Sequence, residues 1–131
     1  LTVVNAIGVG SSPSYGTSGQ VLTSGGAGNA ATWSTIVSGI NWTTKTTTYT
    51  AASNDYLLVN TSGGAFTINL PSSPTAGQYV YFLDAAGTFE THNLTVGRNG
   101  STIQAIAEDL VVSTNNVSFG LVYTGSTWQI W

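Results

Sequence analysis

Charged side chains are scarce in this sequence. They make up 5% of the 131 residues, against roughly 25% in an average globular chain, and the formal net charge is −3. The two basic residues, Lys45 and Arg98, stand far apart. Proteins hold phosphate backbones with clustered Lys and Arg, so we expect no nucleic-acid partner and no docking on anionic lipid.

Cysteine is absent, which excludes disulfides, thiolate metal sites and a cysteine nucleophile. No apolar run approaches the length of a membrane span, so we expect no membrane insertion. Stability must therefore come from packing, and packing between subunits is one source. Because the chain begins at Leu1 without a signal-peptide pattern, we expect it to be part of a longer polypeptide.

Aromatic and small polar residues are abundant instead. The chain has 4 Trp, 6 Tyr and 4 Phe, and Ser, Thr, Asn and Gly supply most of its polarity. These residue types suit strands and turns better than helices, and no long window has helical periodicity. We therefore predict an all-β protein.

The central part of the chain has the clearest strand pattern. Residues 56–59, 66–70 and 78–83 read as strands, separated by a glycine turn and by a segment with two prolines. We predict that these three strands form an antiparallel meander. The later strands at 94–96, 110–112, 117–123 and 128–131 extend it to a small antiparallel β-sandwich or β-prism over residues 40–131.

Residues 1–39 are predicted to form an extended arm. The arm has a short apolar strand at 1–9 and a glycine-rich hairpin with strands at 20–23 and 32–36, and Ser38-Gly39 forms a joint after it. A two-stranded hairpin alone is too small to bury its apolar side chains. This is the first indication that several copies assemble.

Two groups of short motifs resemble parts of known proteins. The first resembles a module that recurs in tail fibres and other virion appendages of tailed bacteriophages. It reads Gly16-x-x-Gly19-Gln20-Val21-Leu22-x-Ser24-x-Gly26-x-Gly28, followed by Trp33-Ser34. The second, over residues 56–131, resembles a carboxy-terminal β domain of marine and cyanobacterial phage fibres. Its motifs are Ile68-x-Leu70-Pro71, Asp84-x-x-Gly87-x-Phe89, Asn93-Leu94-x-Val96 with Gly100 and Ile103, and Tyr123-x-Gly125-x-x-Trp128.

This resemblance implies an intertwined homotrimer on the virion surface, outside the cell. Its partners would be other virion proteins and a host cell-surface glycan or protein. Three chains winding together would bury the weak hairpin and cover strand edges. The first module is present once here, whereas related fibres often repeat it.

Catalytic chemistry has little support in the sequence. There is one histidine, His92, and no serine lies in a nucleophile-elbow motif. Carboxylate pairs remain open among Asp84, Glu90, Glu108 and Asp109, but Glu108 and Asp109 suit a turn and Asp84 is expected to cap its own turn. We therefore expect no enzyme and no cofactor.

His92 is also the one candidate metal ligand. Glu90 and His92 are predicted to lie on one face of a strand, at i and i+2, where threefold symmetry could gather three histidines around an axial metal. Such sites usually have two closely spaced histidines, whereas the neighbours here are Thr91 and Asn93. We expect His92 to be an ordinary surface or interface residue, and we predict no metal site.

The aromatic residues give the best candidates for binding. Exposed Trp and Tyr rings serve as flat platforms for sugars. Trp42, Tyr49 and Trp131 could each point away from the buried face of their strand, whereas Trp33 and Trp128 are expected in a core or an interface. We predict host attachment by receptor binding, with glycan as the expected receptor. The alternatives are a purely structural virion part (capsid decoration, collar fibre or trimerisation knob) and a glycan-cleaving depolymerase.

Overall fold

The computed structural model describes residues 15–36 and 39–131, so the strand predicted at 1–9 lies outside the described residues. The chain divides into two compact units, Leu1–Gly39 and Ile40–Trp131. In the first unit β1 (Gln20–Thr23) and β2 (Thr32–Thr35) pair antiparallel, and Leu22 lies opposite Trp33. Among the described residues, no helix is long and apolar enough to cross a membrane.

The second unit contains nine strands in two sheets. Their order in the five-stranded sheet is β11-β10-β7-β5-β3, and in the four-stranded sheet it is β4-β6-β8-β9. The strands are β3 (Trp42–Lys45), β4 (Tyr49–Thr50), β5 (Asp55–Val59), β6 (Phe66–Asn69), β7 (Tyr79–Asp84), β8 (Leu94–Gly97), β9 (Leu110–Val112), β10 (Ser118–Tyr123) and β11 (Trp128–Ile130).

The antiparallel meander predicted for residues 56–59, 66–70 and 78–83 is wrong, because β5 pairs parallel with β7 and β6 lies in the other sheet. β5 pairs parallel with β3 and β7, and β6 pairs parallel with β4 and β8. From β3 to β8 the chain passes from one sheet to the other after each strand, so β3–β4, β5–β6 and β7–β8 form three stacked rungs of a coil. In the second unit, only β9, β10 and β11 join their sheets by antiparallel pairing. The fold is therefore all-β, as predicted, but of mixed strand direction.

The pairing differs because a turn does not reveal which sheet the chain enters next. The glycines after β5 and the prolines after β6 were interpreted as hairpin turns. Both segments instead carry the chain across to the opposite sheet. Parallel strands need a long crossover connection, and here a strand of the other sheet is part of that connection.

One hydrophobic core lies between the two sheets. Alternate residues of every long strand point inward, and the five-stranded sheet contributes Leu57, Val80, Phe82 and Leu121, each fully buried. The four-stranded sheet contributes Ile68, Leu94 and Val96 to the core. Trp128 of β11 is also fully buried, and its burial was expected from the sequence.

The outward faces of the two sheets differ in chemistry. On the four-stranded sheet, Thr67 pairs with Thr95 and Asn69 with Gly97, which is the polar surface expected of a solvated sheet. The outward positions of the five-stranded sheet carry rings instead: Trp42, Tyr56, Tyr79, Tyr81 and Trp131. This second face is unusual and contains the candidate site.

Candidate functional site: an aromatic row and cleft

Four rings lie in line across the five-stranded sheet and are called here the aromatic row: Trp42, Tyr56, Tyr81 and Trp131. Strand register creates the row, because Trp42 pairs with Tyr56 and Tyr56 pairs with Tyr81. Tyr81 in turn pairs with Gly120, over which the Trp131 ring lies. The row spans three inter-strand spacings of about 4.8 Å, or roughly 14 Å.

The two inner rings of the row cover each other. Tyr56 and Tyr81 are stacked, with centroids 4.6 Å apart and planes inclined by 10°. The two tryptophans at the ends are turned away from this stack: Trp42 is inclined 72° to Tyr56 at 5.2 Å, and Trp131 is inclined 54° to Tyr81 at 5.1 Å. Trp42 is 41% exposed and Trp131 is 66% exposed, so the tryptophans offer more surface to a ligand than the stacked tyrosines do.

Gly120 makes room for Trp131. The two residues exchange both backbone hydrogen bonds, with Trp131 N–H donating to Gly120 O at 3.1 Å and Gly120 N–H donating to Trp131 O at 3.2 Å. A Cβ on Gly120 would collide with the Trp131 indole and would lie 2.9 Å from Cε1 of Tyr81. Glycine inside a strand often marks such a close approach.

A depression of about 330 Å³ lies between the two tryptophans and is called here the aromatic cleft. Its outward-pointing lining consists of Trp42, Tyr81, Leu83, Ser118, Gly120 and Trp131. Ser118 and Leu83 are register partners on β10 and β7, and Ser118 is exposed. The cleft thus combines aromatic walls with a hydroxyl group, the combination expected of a site for a small polar ligand with apolar faces.

The Tyr56 hydroxyl group in the middle of the row stays neutral at ordinary pH. Tyr79 touches both stacked rings, with centroids 5.7 Å from Tyr56 and 5.5 Å from Tyr81. Hydrogen bonding to the Tyr79 side chain, together with desolvation, raises the pKa of Tyr56 to about 12. Tyr56 therefore presents a neutral phenol group, which can both donate and accept hydrogen bonds.

Tyr49, the third predicted receptor-binding residue, lies apart from the two tryptophans. It belongs to β4 in the four-stranded sheet and packs against the core. Its hydroxyl donates to Oδ2 of Asp55 at 3.0 Å, and the Lys45 ammonium lies 3.6 Å from its ring centroid. Burial and the bond to Asp55 raise the pKa of Tyr49. Because its ring and hydroxyl already have partners, we leave Tyr49 out of the candidate site.

The strand predicted for Glu90 and His92 is wrong. Both residues lie in a turn between β7 and β8, where the N–H groups of Thr91 and His92 donate to Thr88 O at 3.1 and 2.8 Å. Glu90 instead bonds Asn115, which donates to Oε2 at 3.1 Å. Within residues 15–36 and 39–131, no group of three or more His, Cys, Asp or Glu side chains could hold a metal ion.

Most carboxylates of the second unit hold neighbouring groups in place. Asp84 is buried and caps its turn as predicted, accepting N–H bonds from Gly87 at 2.9 Å and Asn116 at 3.0 Å, among others. Asp109 accepts a bond from the backbone N–H of Arg98 at 2.9 Å. The lining of the aromatic cleft contains no carboxylate, and all of its residues belong to the described part of the chain.

A second, apolar groove of about 340 Å³ runs along the outer edge of β9, a strand that pairs on that side with no other described residue. It is lined by half-buried core side chains, including Val112, Val117, Phe119 and Ile130. Val111 beside it is 56% exposed. An unpaired strand edge with apolar surroundings is a ready surface for strand addition or self-association.

Sequence reasoning found the two ends of the row and missed its centre. Trp42 and Trp131 were identified because each points away from its strand's buried face. Tyr56 and Tyr81 were missed because they become neighbours only through parallel pairing of β5 with β7. The glycine that interrupts the alternation of β10 was the available signal for Gly120.

No protein-family model and no curated protein matches this sequence. The resemblance to phage fibres therefore stays a prediction from short motifs, and the aromatic cleft is the structural basis for a function.

Proposed function

We propose that this chain is a non-enzymatic β domain of a phage tail fibre or similar virion appendage, and that it attaches the particle to host-surface glycan. The sugar binds in the aromatic cleft, with Trp42 and Trp131 as its stacking platforms. The active form is a homotrimer exposed on the virion surface. Three identical weak sites on one fibre then act together, and effective concentration makes adsorption durable.

The observation that supports binding is the aromatic row itself. Burying large aromatic side chains is strongly favourable, so a row of four rings on an outward sheet face marks a surface that meets something other than water. The exposed tryptophans flank a cleft with a free serine hydroxyl, and sugars present both apolar faces and hydroxyl groups. The polar outward face of the other sheet has no comparable feature.

Two other surfaces support the trimer. The hairpin of the first unit leaves Val21 and Leu22 about 40% exposed, more than a stable two-stranded hairpin would leave if it stood alone. In the second unit, the β9 groove exposes the edge of the core. A second and a third copy of the chain would cover such surfaces by symmetry.

The positions of the carboxylates support binding rather than hydrolysis. Glycoside hydrolysis usually needs two carboxyl groups flanking one bond. The lining of the aromatic cleft has none, and Asp84 and Asp109 are engaged by backbone N–H groups elsewhere. We therefore propose no catalytic residue, no metal and no cofactor.

Light scattering and glycan arrays test the proposal. Light scattering of the purified chain should give three times the mass of one chain. On an immobilised glycan array, Trp42→Ala and Trp131→Ala should each weaken binding by roughly 5- to 150-fold, if a sugar face stacks on the ring as strongly as a base does, at roughly 1–3 kcal/mol. Tyr15→Ala is the matched control, because Tyr15 is an exposed aromatic (61%) outside the five-stranded sheet. All variants should melt like the wild type within about 5 °C.

Other outcomes favour the competing functions. A stable trimer without glycan binding, in which Val111→Asp breaks the assembly, would support a purely structural virion part. A monomer would remove the symmetry on which avidity depends. Release of shortened sugar chains from the array would support a depolymerase.

A further inference from the structure

We propose that the aromatic cleft selects uncharged sugars over acidic ones, and that Ser118 is the residue that sets this preference. This inference rests on the proposed function, because it names the class of glycan that the same site takes. It concerns neutral hexoses and N-acetylhexosamines, as opposed to uronic acids, sialic acids and sulfated sugars.

The lack of charged side chains around the cleft supports a preference for uncharged sugars. The outward positions of β3, β5, β7, β10 and β11, all within the described residues, hold aromatic, aliphatic, Thr, Ser, Gly and Gln side chains and no charged group. Nearby charges point elsewhere: Asp84 lies inside the unit and the Lys45 ammonium lies over the Tyr49 ring. An anionic sugar entering the cleft would lose water without gaining a cation, which is costly. A neutral sugar has no such cost.

Ser118 supplies one hydrogen-bonding group of the cleft, beside the Tyr81 hydroxyl and the Trp131 indole N–H. Its side chain is exposed between the tryptophans and makes no hydrogen bond within the described residues. A serine hydroxyl both donates and accepts, so it matches a sugar hydroxyl in either role. A charged side chain at this position would therefore be the first ionic side chain in the lining of the cleft, and it would change the charge of the glycans that the cleft accepts.

The neighbouring phenol groups reinforce the preference. Tyr56 stays protonated far above neutral pH because its pKa is raised to about 12. Its hydroxyl is therefore an uncharged hydrogen-bonding group throughout the range in which binding would be measured. Ionisation of Tyr56 should accordingly leave the binding of a neutral sugar unchanged at any pH below 10.

The test uses the full chain on a panel of acidic polysaccharides and their carboxyl-reduced, neutral forms, printed beside neutral hexose and N-acetylhexosamine oligomers. The wild type should bind neutral glycans, prefer each carboxyl-reduced polysaccharide at least tenfold over its acidic parent, and change little with salt. Ser118→Lys should bind the acidic parents at least tenfold better than the wild type, with a gain that falls at high salt. Ser118→Thr is the conservative control and should keep the neutral preference.

The outcomes separate this inference from the proposed function. In one outcome the wild type binds acidic glycans with the same affinity as their reduced forms, and the double variant Trp42→Ala with Trp131→Ala loses this binding. The preference for neutral sugars is then wrong, but the cleft remains the binding site. If no glycan binds better to the wild type than to the double tryptophan variant, both fail. If Ser118→Lys binds like the wild type, Ser118 does not set specificity.

Discussion

Gly120 and Trp131 form a reciprocal pair in which each residue donates one backbone hydrogen bond to the other. The bonds measure 3.1 and 3.2 Å, and the missing side chain of Gly120 leaves the space that the Trp131 indole fills. The pair places a large exposed ring at one wall of the aromatic cleft. The position of that ring therefore depends on the absence of a single methyl group from β10.

Gly120→Ala should displace Trp131 and weaken glycan binding. The φ angle of Gly120 is not in the left-handed region, so alanine adds no backbone strain, and the cost arises from contact with the rings of Trp131 and Tyr81. We expect about 1–3 kcal/mol of destabilisation, the usual cost of overpacking. Urea denaturation of a double-mutant cycle measures it. In a Trp131→Ala background the same substitution should cost clearly less, and equal costs in both backgrounds would show that the two residues are not coupled.

Trp128→Ala should be far more disruptive than Trp42→Ala. Trp128 is fully buried and packs on Tyr123 with ring centroids 5.4 Å apart, so truncation should cost roughly 3–5 kcal/mol. Trp42 is 41% exposed and should cost about 1 kcal/mol through its lost contact with Tyr56. The two free energies of unfolding come from urea titrations. Similar values for the two variants would contradict the inward orientation of β11.

Asp84→Asn should destabilise the second unit. The Asp84 carboxylate accepts bonds from the backbone N–H groups of Gly87, Thr88, Phe89 and Asn116, and so ties the turn after β7 to the turn before β10. The side-chain amide that replaces the carboxylate would point its own N–H at a backbone N–H. We therefore expect the free energy of unfolding to fall by about 2–3 kcal/mol. The control is Glu108→Gln, an exposed carboxylate that makes no hydrogen bond within the described residues, which should cost within about 0.5 kcal/mol. Equal thermal midpoints for both variants would refute the structural role of Asp84.

Alkaline pH should destabilise the fold through Tyr56. Its pKa is raised from 10.0 in a free tyrosine to about 12, so folding favours the neutral phenol. The stability from this group is complete below pH 10 and is lost as the pH rises from 10 toward 12. Phenolate absorbance of the folded chain should show a late step near pH 12 that disappears in Tyr56→Phe. A titration in which the wild type and Tyr56→Phe have the same last step would contradict the assignment.

The strands of this fold were largely predictable and their partners were not. Alternation locates β5, β6 and β10 because each strand buries one face, and this signal lies within a few neighbouring residues. Strand direction depends on where the chain goes after a turn, which alternation does not encode. For the same reason Trp42 and Trp131 could be identified singly, whereas their connection through Tyr56 and Tyr81 required the register of the sheet.

The turn at Thr91 and His92 was predicted as a strand for a similar reason. Thr91 and His92 gave no signal against a strand, yet both N–H groups donate to the carbonyl of Thr88 and close a turn. Two contacts fix that turn from outside. Asp84 accepts a bond from the backbone N–H of Phe89. The Glu90–Asn115 pair joins segments that are 25 residues apart in sequence. Contacts between residues so far apart in the sequence leave no pattern within a short stretch of it.

The coil of stacked rungs gives this domain a modular length. Each rung bonds only to the rungs beside it, so a rung can be added or removed at the β3–β4 end without altering the topology of the rest. Trp42 lies on that terminal rung, and Trp131 lies at the opposite, antiparallel end. The distance between the two tryptophans is therefore counted in strands, and a duplication of the β5–β6 rung between them would lengthen it by one fixed step of about 4.8 Å.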